Sequence, residues 1–329
     1  MFSTMNLEKI NTKAKVAVCS RSFSRNAELR NILISKFSKV KFNDQGLKLD
    51  GNSLIEYLQG YTHAITALEK IDRSLIESLP SLKVISKYGV GLDMIDIESL
   101  VKHKIRLGWT TGVNKRSVAE LTLLFMLIMI RKVNISNREL INGTWRQVVG
   151  GELTNRTVGI IGCGNIGKDL VTLLTPFKCN ILVYDIINYE EFYSKFNIKA
   201  VSKEELLSKS DLITIHVPLN QSTKNLIDYK EFSILNRNSI LINAARGGIV
   251  NQKALKKALI NNKIAGAAFD VFEEEPPTDI ELINHPNFYG TQHIGGSSKE
   301  AIYNMGLAAI EGLTENRIPV DLSTAFKHK

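Results

Sequence analysis

Short apolar runs alternate with helical patterns along the whole chain, the patterning of parallel sheets covered by crossover helices. In the first part, strands are expected at residues 16–19, 64–68, 83–87 and 106–109, with a weaker one at 40–42. Helical segments such as 27–37 and 97–103 separate them. A long helix follows. Ser117, with Glu120 three residues on, has the form of a capping box. Leu121, Leu124, Phe125, Leu127, Ile128 and Ile130 leave this helix apolar on nearly every side, as expected of one buried between domains or subunits. A second alternating unit starts at Thr157, with strands expected at 158–161, 181–184, 212–216, 240–243, 265–269 and near Tyr289, and a last helix at 299–315. The pattern is α/β. It reads as two Rossmann- or flavodoxin-like doubly wound domains, with a nucleotide-binding domain (113–296) inserted into a substrate domain (1–112 plus 297–329).

A length of 329 residues suits two such domains. The N-terminus lacks a basic stretch followed by an apolar run, so no secretory signal is expected. The longest apolar run, 121–130, falls short of the roughly 20 residues a membrane span needs. Three cysteines, Cys19, Cys163 and Cys179, fit a reducing cytoplasm better than a disulfide framework. No Cys or His pair has zinc-ligand spacing, so no metal is expected. The net charge is +9, but the lysines are scattered and no nucleic-acid motif accompanies them, which reads as a solvated basic surface.

Chemistry enters with Gly162, Gly164 and Gly167, a G-x-G-x-x-G run with Asn165 and Ile166 inside it, placed between an apolar strand and a helix. The first glycine permits a tight turn, the second lets backbone approach a diphosphate, and the third lets helix and strand pack closely. The helix N-terminus favours the diphosphate charge. Asp185 ends the next strand about 20 residues on, where a carboxylate holds ribose hydroxyls and repels a 2′-phosphate. NAD is therefore expected rather than NADP.

Three further segments each put an ionisable group just past a strand: Arg246 in 243–248, Glu275 in 270–277 and His293 in 291–296. Ligands of open parallel sheets bind beyond the strand carboxyl ends. An arginine fork suits a substrate carboxylate and its neighbouring carbonyl. A histidine suits proton transfer near neutral pH, and a carboxylate beside it orients the ring. Singly, each group has a bland alternative: a surface ion pair for Arg246, a helix cap for His293, an acidic loop shared with Glu273 and Glu274 for Glu275. Together, beside the glycine turn, they point to one site.

These motifs, with 82–93, 117–120 and 216–219, resemble the D-isomer-specific 2-hydroxyacid dehydrogenase family, in its phosphoglycerate dehydrogenase branch, over nearly the whole chain. The resemblance implies an NAD-dependent oxidoreductase with an active site of Arg246, Glu275 and His293. It implies that Gly89, Val90 and Gly91 offer amides to the substrate carboxylate, and that His216, Val217 and Pro218 lie along the nucleotide. Asp270 is expected to face the nicotinamide carboxamide, and Ala244, Ala245, Arg246, His293 and Gly295 to line the cofactor. A cytoplasmic homodimer and domain closure over the substrate are implied as well. Gln292 replaces a usual proline and Lys178 a common glycine. The chain ends soon after its last helix, so feedback through the C-terminal domains of longer phosphoglycerate dehydrogenases is not expected. Lys87 stands where a cation helps bind phosphate, and Arg146 is positioned to reach the same cleft from a partner. Residues 64–68 lack the arginine often found there. The balance falls slightly to 3-phosphoglycerate over unphosphorylated acids such as glyoxylate or hydroxypyruvate. A different class, an NADH-sensing corepressor-like binding protein, shares the fold, but the intact Arg-Glu-His set argues for turnover. Outside the glycine run, nothing matches an adenosylhomocysteine-processing enzyme.

Overall fold

Two series of short, β-branched-rich strands set the architecture. The computed structural model describes residues 13–320. Strands β1 (Lys15–Val18), β2 (Lys39–Phe42), β3 (His63–Thr66), β4 (Val84–Lys87) and β5 (Arg106–Gly108) form a parallel sheet in the order β2-β1-β3-β4-β5. Strands β6 (Thr157–Ile161), β7 (Asn180–Tyr184), β8 (Lys199–Ala200), β9 (Leu212–Ile215), β10 (Ile240–Asn243), β11 (Gly266–Phe269) and β12 (Phe288–Gly290) form a second parallel sheet, β12-β11-β10-β9-β6-β7-β8. β4, β9, β10 and β11 are buried at every position, as strands covered on both faces must be. The two-residue edge strand β8 is exposed and too short to leave a periodic signal.

The described residues divide into two compact units: those up to Asn114 with those from Lys299, and Lys115–Ser298. In the first unit, the returning helix Lys299–Gly312 packs against the sheet. Ser86 Oγ donates to the Ala309 carbonyl at 2.6 Å. Gly108 meets Gly312 so closely that a Cβ there would lie 2.1 Å from the Gly312 carbonyl oxygen.

In the second unit, successive strand residues feed opposite faces. Ile240 and Ile242 join Phe125, Met126, Leu170 and Val171 on one face, while Leu241 joins Ile213, Leu255 and Phe269 on the other. One expectation about the long helix is corrected. It spans Lys115–Ile130, so Ser117 lies inside its first turn and forms no capping box; the hydroxyl instead donates to the Gly295 carbonyl at 2.6 Å. Val118, Ala119, Thr122, Phe125, Met126, Met129 and Ile130 are its buried positions, and Leu124 is exposed in the single chain. At the departure from family pattern, Lys178 itself takes the left-handed backbone, at φ 55°, and ends a 3-10 turn.

Candidate active site

The register of the second sheet aligns Tyr184, Ile161, Ile215, Asn243, Phe269 and Gly290 in one row across β7, β6, β9, β10, β11 and β12. The residues that follow that row are Asp185, Gly162, His216, Ala244, Asp270 and Thr291. Parallel strands all emerge at the same edge, so the glycine turn and the three ionisable segments leave the sheet on one side.

Each glycine of the turn has a distinct reason. Gly162 has φ +92°, and a Cβ there would lie 2.6 Å from the His216 carbonyl oxygen and 2.8 Å from Val217 Cγ1. A Cβ on Gly167 would lie 2.4 Å from the Gly162 carbonyl oxygen. A Cβ on Gly164 meets nothing within 4 Å. Gly164 thus borders open space at the start of the helix Asn165–Leu174, which has no side-chain cap competing for its first amides. That is a cradle a dinucleotide diphosphate fits. Asp185 Oδ2 accepts from the Cys163 amide at 2.6 Å and Oδ1 from the Ile187 amide at 2.9 Å, so the carboxylate also braces the turn. Burial, with the Asp185 charge, pushes the Cys163 thiol up to about 12 and leaves it an inert packing group. Lys168 lays its ammonium over the Tyr189 ring, 3.4 Å from the centroid.

His216 Nε2 lies 3.0 Å from Thr214 Oγ1, and its buried Nδ1 has no partner. Desolvation pushes this imidazole down to about 3, so it stays neutral. Ala244 and Ala245 are buried. Pro218 is exposed, and its carbonyl accepts from Thr223 Oγ1 at 2.6 Å.

Beyond β10, Asn243 shapes the next turn. Its side chain accepts from the Ala245 amide at 3.1 Å and donates to the Arg246 carbonyl at 2.9 Å. Gly247 then lies flat on Phe272, where a Cβ would fall 1.8 Å from the Phe272 carbonyl oxygen. The Phe272 amide donates to Glu275 Oε1 at 3.1 Å, and Glu275 Oε2 lies 2.8 Å from His293 Nδ1. A continuous chain of contacts therefore runs from the Arg246 turn to the His293 ring. Both partners of the imidazole–carboxylate pair remain partly open to solvent.

Asp270 braces the neighbouring loop. The residue is 1% exposed, and both oxygens are taken by the 291–295 segment: Thr291 Oγ1 at 2.6 Å and the Ile294 amide at 2.7 Å on Oδ1, and the Gly295 amide at 2.7 Å on Oδ2. Sequence reasoning assigned no role to Thr291 or to the Phe272 amide, and it read Ser117 as a cap. Thr291 and Ser117 act on residues 21 and 178 positions away, which no local spacing encodes.

In the first unit, Gly89 has φ +129°, and its Cβ position lies 3.6 Å from Lys87 Cε. Lys87 is 6% exposed, and its ammonium donates to the Ala67 carbonyl; Val90 and Gly91 are half-buried. The Arg146 guanidinium is engaged by Glu139 of the same chain, 3.2 Å from Nε. Among the described residues, no group of three His, Cys, Asp or Glu stands together as a metal site, and no helix is long and apolar enough to cross a membrane.

Residues 123–295 match the family model for the D-isomer specific 2-hydroxyacid dehydrogenase NAD binding domain. The chain is 35% identical to the D-3-phosphoglycerate dehydrogenase of Bacillus subtilis, over 75% of this chain and 47% of that protein. It is 33% identical to the glyoxylate reductase of Thermococcus litoralis, over 88% of this chain and 92% of that protein. The crystal structure of NAD-dependent formate dehydrogenase from Staphylococcus aureus in complex with NAD superposes with a TM-score of 0.77 at 30% identity, covering 91% of this chain and 93% of that one. The chain spans about half the length of the phosphoglycerate dehydrogenases it matches.

The doubly wound sheet and its glycine turn define an NAD-binding α/β protein. The chain belongs to the D-isomer specific 2-hydroxyacid dehydrogenases.

Proposed function

We propose that this chain interconverts a D-2-hydroxy acid and a 2-oxo acid with NAD, using Arg246, Glu275 and His293. The carrying observation is the 2.8 Å contact between His293 and Glu275, linked through Phe272 and Gly247 to the Arg246 turn. Bound NADH supplies the hydride. Gly162, Gly164 and Gly167 hold the diphosphate, with Asn165 and Ile166 in the first helical turn, and Asp185 holds the adenosine ribose. His216, Val217, Pro218, Ala244, Ala245 and Gly295 would line the bound nucleotide. Arg246 binds the substrate carboxylate through its fork and polarises the carbonyl. His293 gives a proton to the carbonyl oxygen in reduction and takes it back in oxidation. Glu275 holds the ring and supports its charged form. The Gly89-Val90-Gly91 turn is read as offering backbone amides to a carboxylate.

The similarity to phosphoglycerate dehydrogenases tilts the substrate slightly to 3-phosphoglycerate, with Lys87 as the phosphate cation. A specific observation favours the second reading, an unphosphorylated acid such as glyoxylate or hydroxypyruvate: the Lys87 ammonium is already engaged by the Ala67 carbonyl. NADH oxidation measured with phosphohydroxypyruvate, hydroxypyruvate, glyoxylate and pyruvate decides between them. No turnover with any 2-oxo acid overturns the enzyme reading in favour of a binding protein.

The chain is further inferred to act as a homodimer in the cytoplasm, as its cysteine usage fits. The helix Val133–Ile141 buries none of its residues, and Trp145 and Val149 beyond it are 90% and 81% exposed; a second copy is the partner proposed for this stretch. A monomeric mass by light scattering at micromolar concentration overturns that inference.

A further inference from the structure

We propose that Asp270 is the positioning residue for His293: it fixes the histidine's backbone so that the ring meets Glu275. The inference rests on the functional reading above and adds a role to it.

His293 has φ 53°, a left-handed backbone uncommon outside glycine. Asp270 holds that backbone from both sides of the histidine. Its carbonyl accepts from the His293 amide at 2.8 Å. Its carboxylate takes Thr291 Oγ1 two residues before, and the Ile294 and Gly295 amides just after. Four donors from five consecutive residues thus end on one side chain and its own carbonyl.

The anchor itself is rigid. Asp270 directly follows β11, and its amide donates to the Asn243 carbonyl at 2.9 Å, at the end of β10. The sheet therefore holds Asp270, Asp270 holds the 291–295 segment, and the segment presents the ring. Gly295 fits this arrangement, because a Cβ there would lie 2.9 Å from Asp270 Oδ2. Ser117 grips the far end of the segment through the Gly295 carbonyl.

An aspartate is required by the count of acceptors. Three donors converge on two oxygens, one of them on Oδ2 alone. Asparagine keeps one acceptor oxygen and turns a donor toward an amide hydrogen or the hydroxyl, leaving a buried donor unmatched.

The test uses the full chain and compares Thr291→Val, Thr291→Ser and Asp270→Asn with wild type. The readouts are kcat, KM for the 2-oxo acid, NADH Kd by fluorescence titration, melting temperature, and the low-field proton NMR signal of the His293–Glu275 hydrogen bond. Thr291→Val removes one donor from the clamp without burying a new polar group. It is expected to lower kcat by about 10²-fold, the scale of a one-ångström misplacement, to weaken the low-field signal, and to leave NADH Kd unchanged. Thr291→Ser restores both kcat and the signal. Asp270→Asn lowers kcat further; where it fails to fold, the Thr291 pair decides.

Full turnover and an intact low-field signal in Thr291→Val overturn the proposal. So does an NADH Kd that weakens in step with kcat, which marks a cofactor contact instead. If His293→Asn abolishes turnover while the clamp variants keep it, only the positioning role fails. If His293→Asn keeps turnover, the functional reading fails, and the NMR signal still decides whether Asp270 positions the ring.

Discussion

Nδ1 of His293 lies 2.8 Å from Oε2 of Glu275, and the other oxygen of that carboxylate accepts from the Phe272 amide at 3.1 Å. Glu275 is therefore tied at both ends, to the backbone of its own loop and to the ring. A carboxylate fixed in this way selects the orientation of the imidazole and leaves Nε2 on the side of the ring opposite Glu275. Nε2 is the atom assigned to exchange a proton with the substrate oxygen.

Removing the exchangeable proton while keeping the polar shape isolates that role. His293→Asn is expected to lower kcat for 2-oxo acid reduction by about 10²- to 10⁴-fold, the usual yield of general acid catalysis. NADH Kd, from fluorescence titration, stays at the wild-type value because the ring acts on the reacting oxygen. Parallel losses in Kd and kcat speak against this assignment.

Glu275→Gln tests the orienting carboxylate. The amide can still accept from Phe272, but it turns an NH2 group toward His293 Nδ1 and removes the charge that supports the imidazolium. The expected loss in kcat is about 10²-fold, smaller than for the histidine variant. Pre-steady-state measurement of the reduction step checks it, and a variant as fast as wild type removes Glu275 from the site.

The sheet edge that carries this site was readable from the chain because buried parallel strands are unmistakable apolar runs. β9, β10 and β11 fell within one residue of expectation at each end. Glycine spacing and the residue types at 185, 246, 275 and 293 did the rest. What escaped was decided in three dimensions. Ser117 has the sequence of a cap, yet its hydroxyl serves a carbonyl 178 positions away. The role given to Asp270 came from the resemblance alone; that its carboxylate also braces the 291–295 segment is set by three donors arriving from another loop. Local patterns place a residue at the sheet edge, and the partners it meets there decide which way it points.

The three glycines separate stability from binding. Gly167→Ala sets a Cβ 2.4 Å from the Gly162 carbonyl, an overpacked contact costing about 1–3 kcal/mol. A drop of several degrees in melting temperature, by calorimetry without ligand, is expected. Gly164→Ala meets no atom within 4 Å, so it melts as wild type does but binds NADH more weakly, because the methyl group enters the diphosphate's space. The reverse pattern, a destabilised Gly164→Ala with normal NADH affinity, contradicts the cradle.

Asp185 has two duties, and one substitution can divide them. Asp185→Asn retains one acceptor for the Cys163 or Ile187 amide and removes the charge facing a 2′-phosphate. The ratio of kcat/KM for NADH to that for NADPH is expected to fall by about tenfold, the effect of losing one charged hydrogen-bond acceptor from the ribose. An unchanged ratio shows that this carboxylate serves the turn alone.

His216 makes acid stability a readout of the cofactor edge. Its imidazole is pushed down to about 3 by desolvation, against 6.5 for an exposed ring. Between those values the unfolded chain binds a proton that the folded chain refuses. Unfolding therefore takes up a proton in this window, and the folded state loses stability as pH falls from 6.5 toward 3. Below about 3 both states are protonated and the contribution levels off. The cost arises at this ring because its Nδ1 is buried without a partner and a second proton there has no acceptor to meet. In urea titrations across pH 4 to 7, His216→Asn is expected to show a shallower decline in stability than wild type, with the two curves converging on the acid side. Parallel curves across the window show that the ring takes up its proton in the folded state after all.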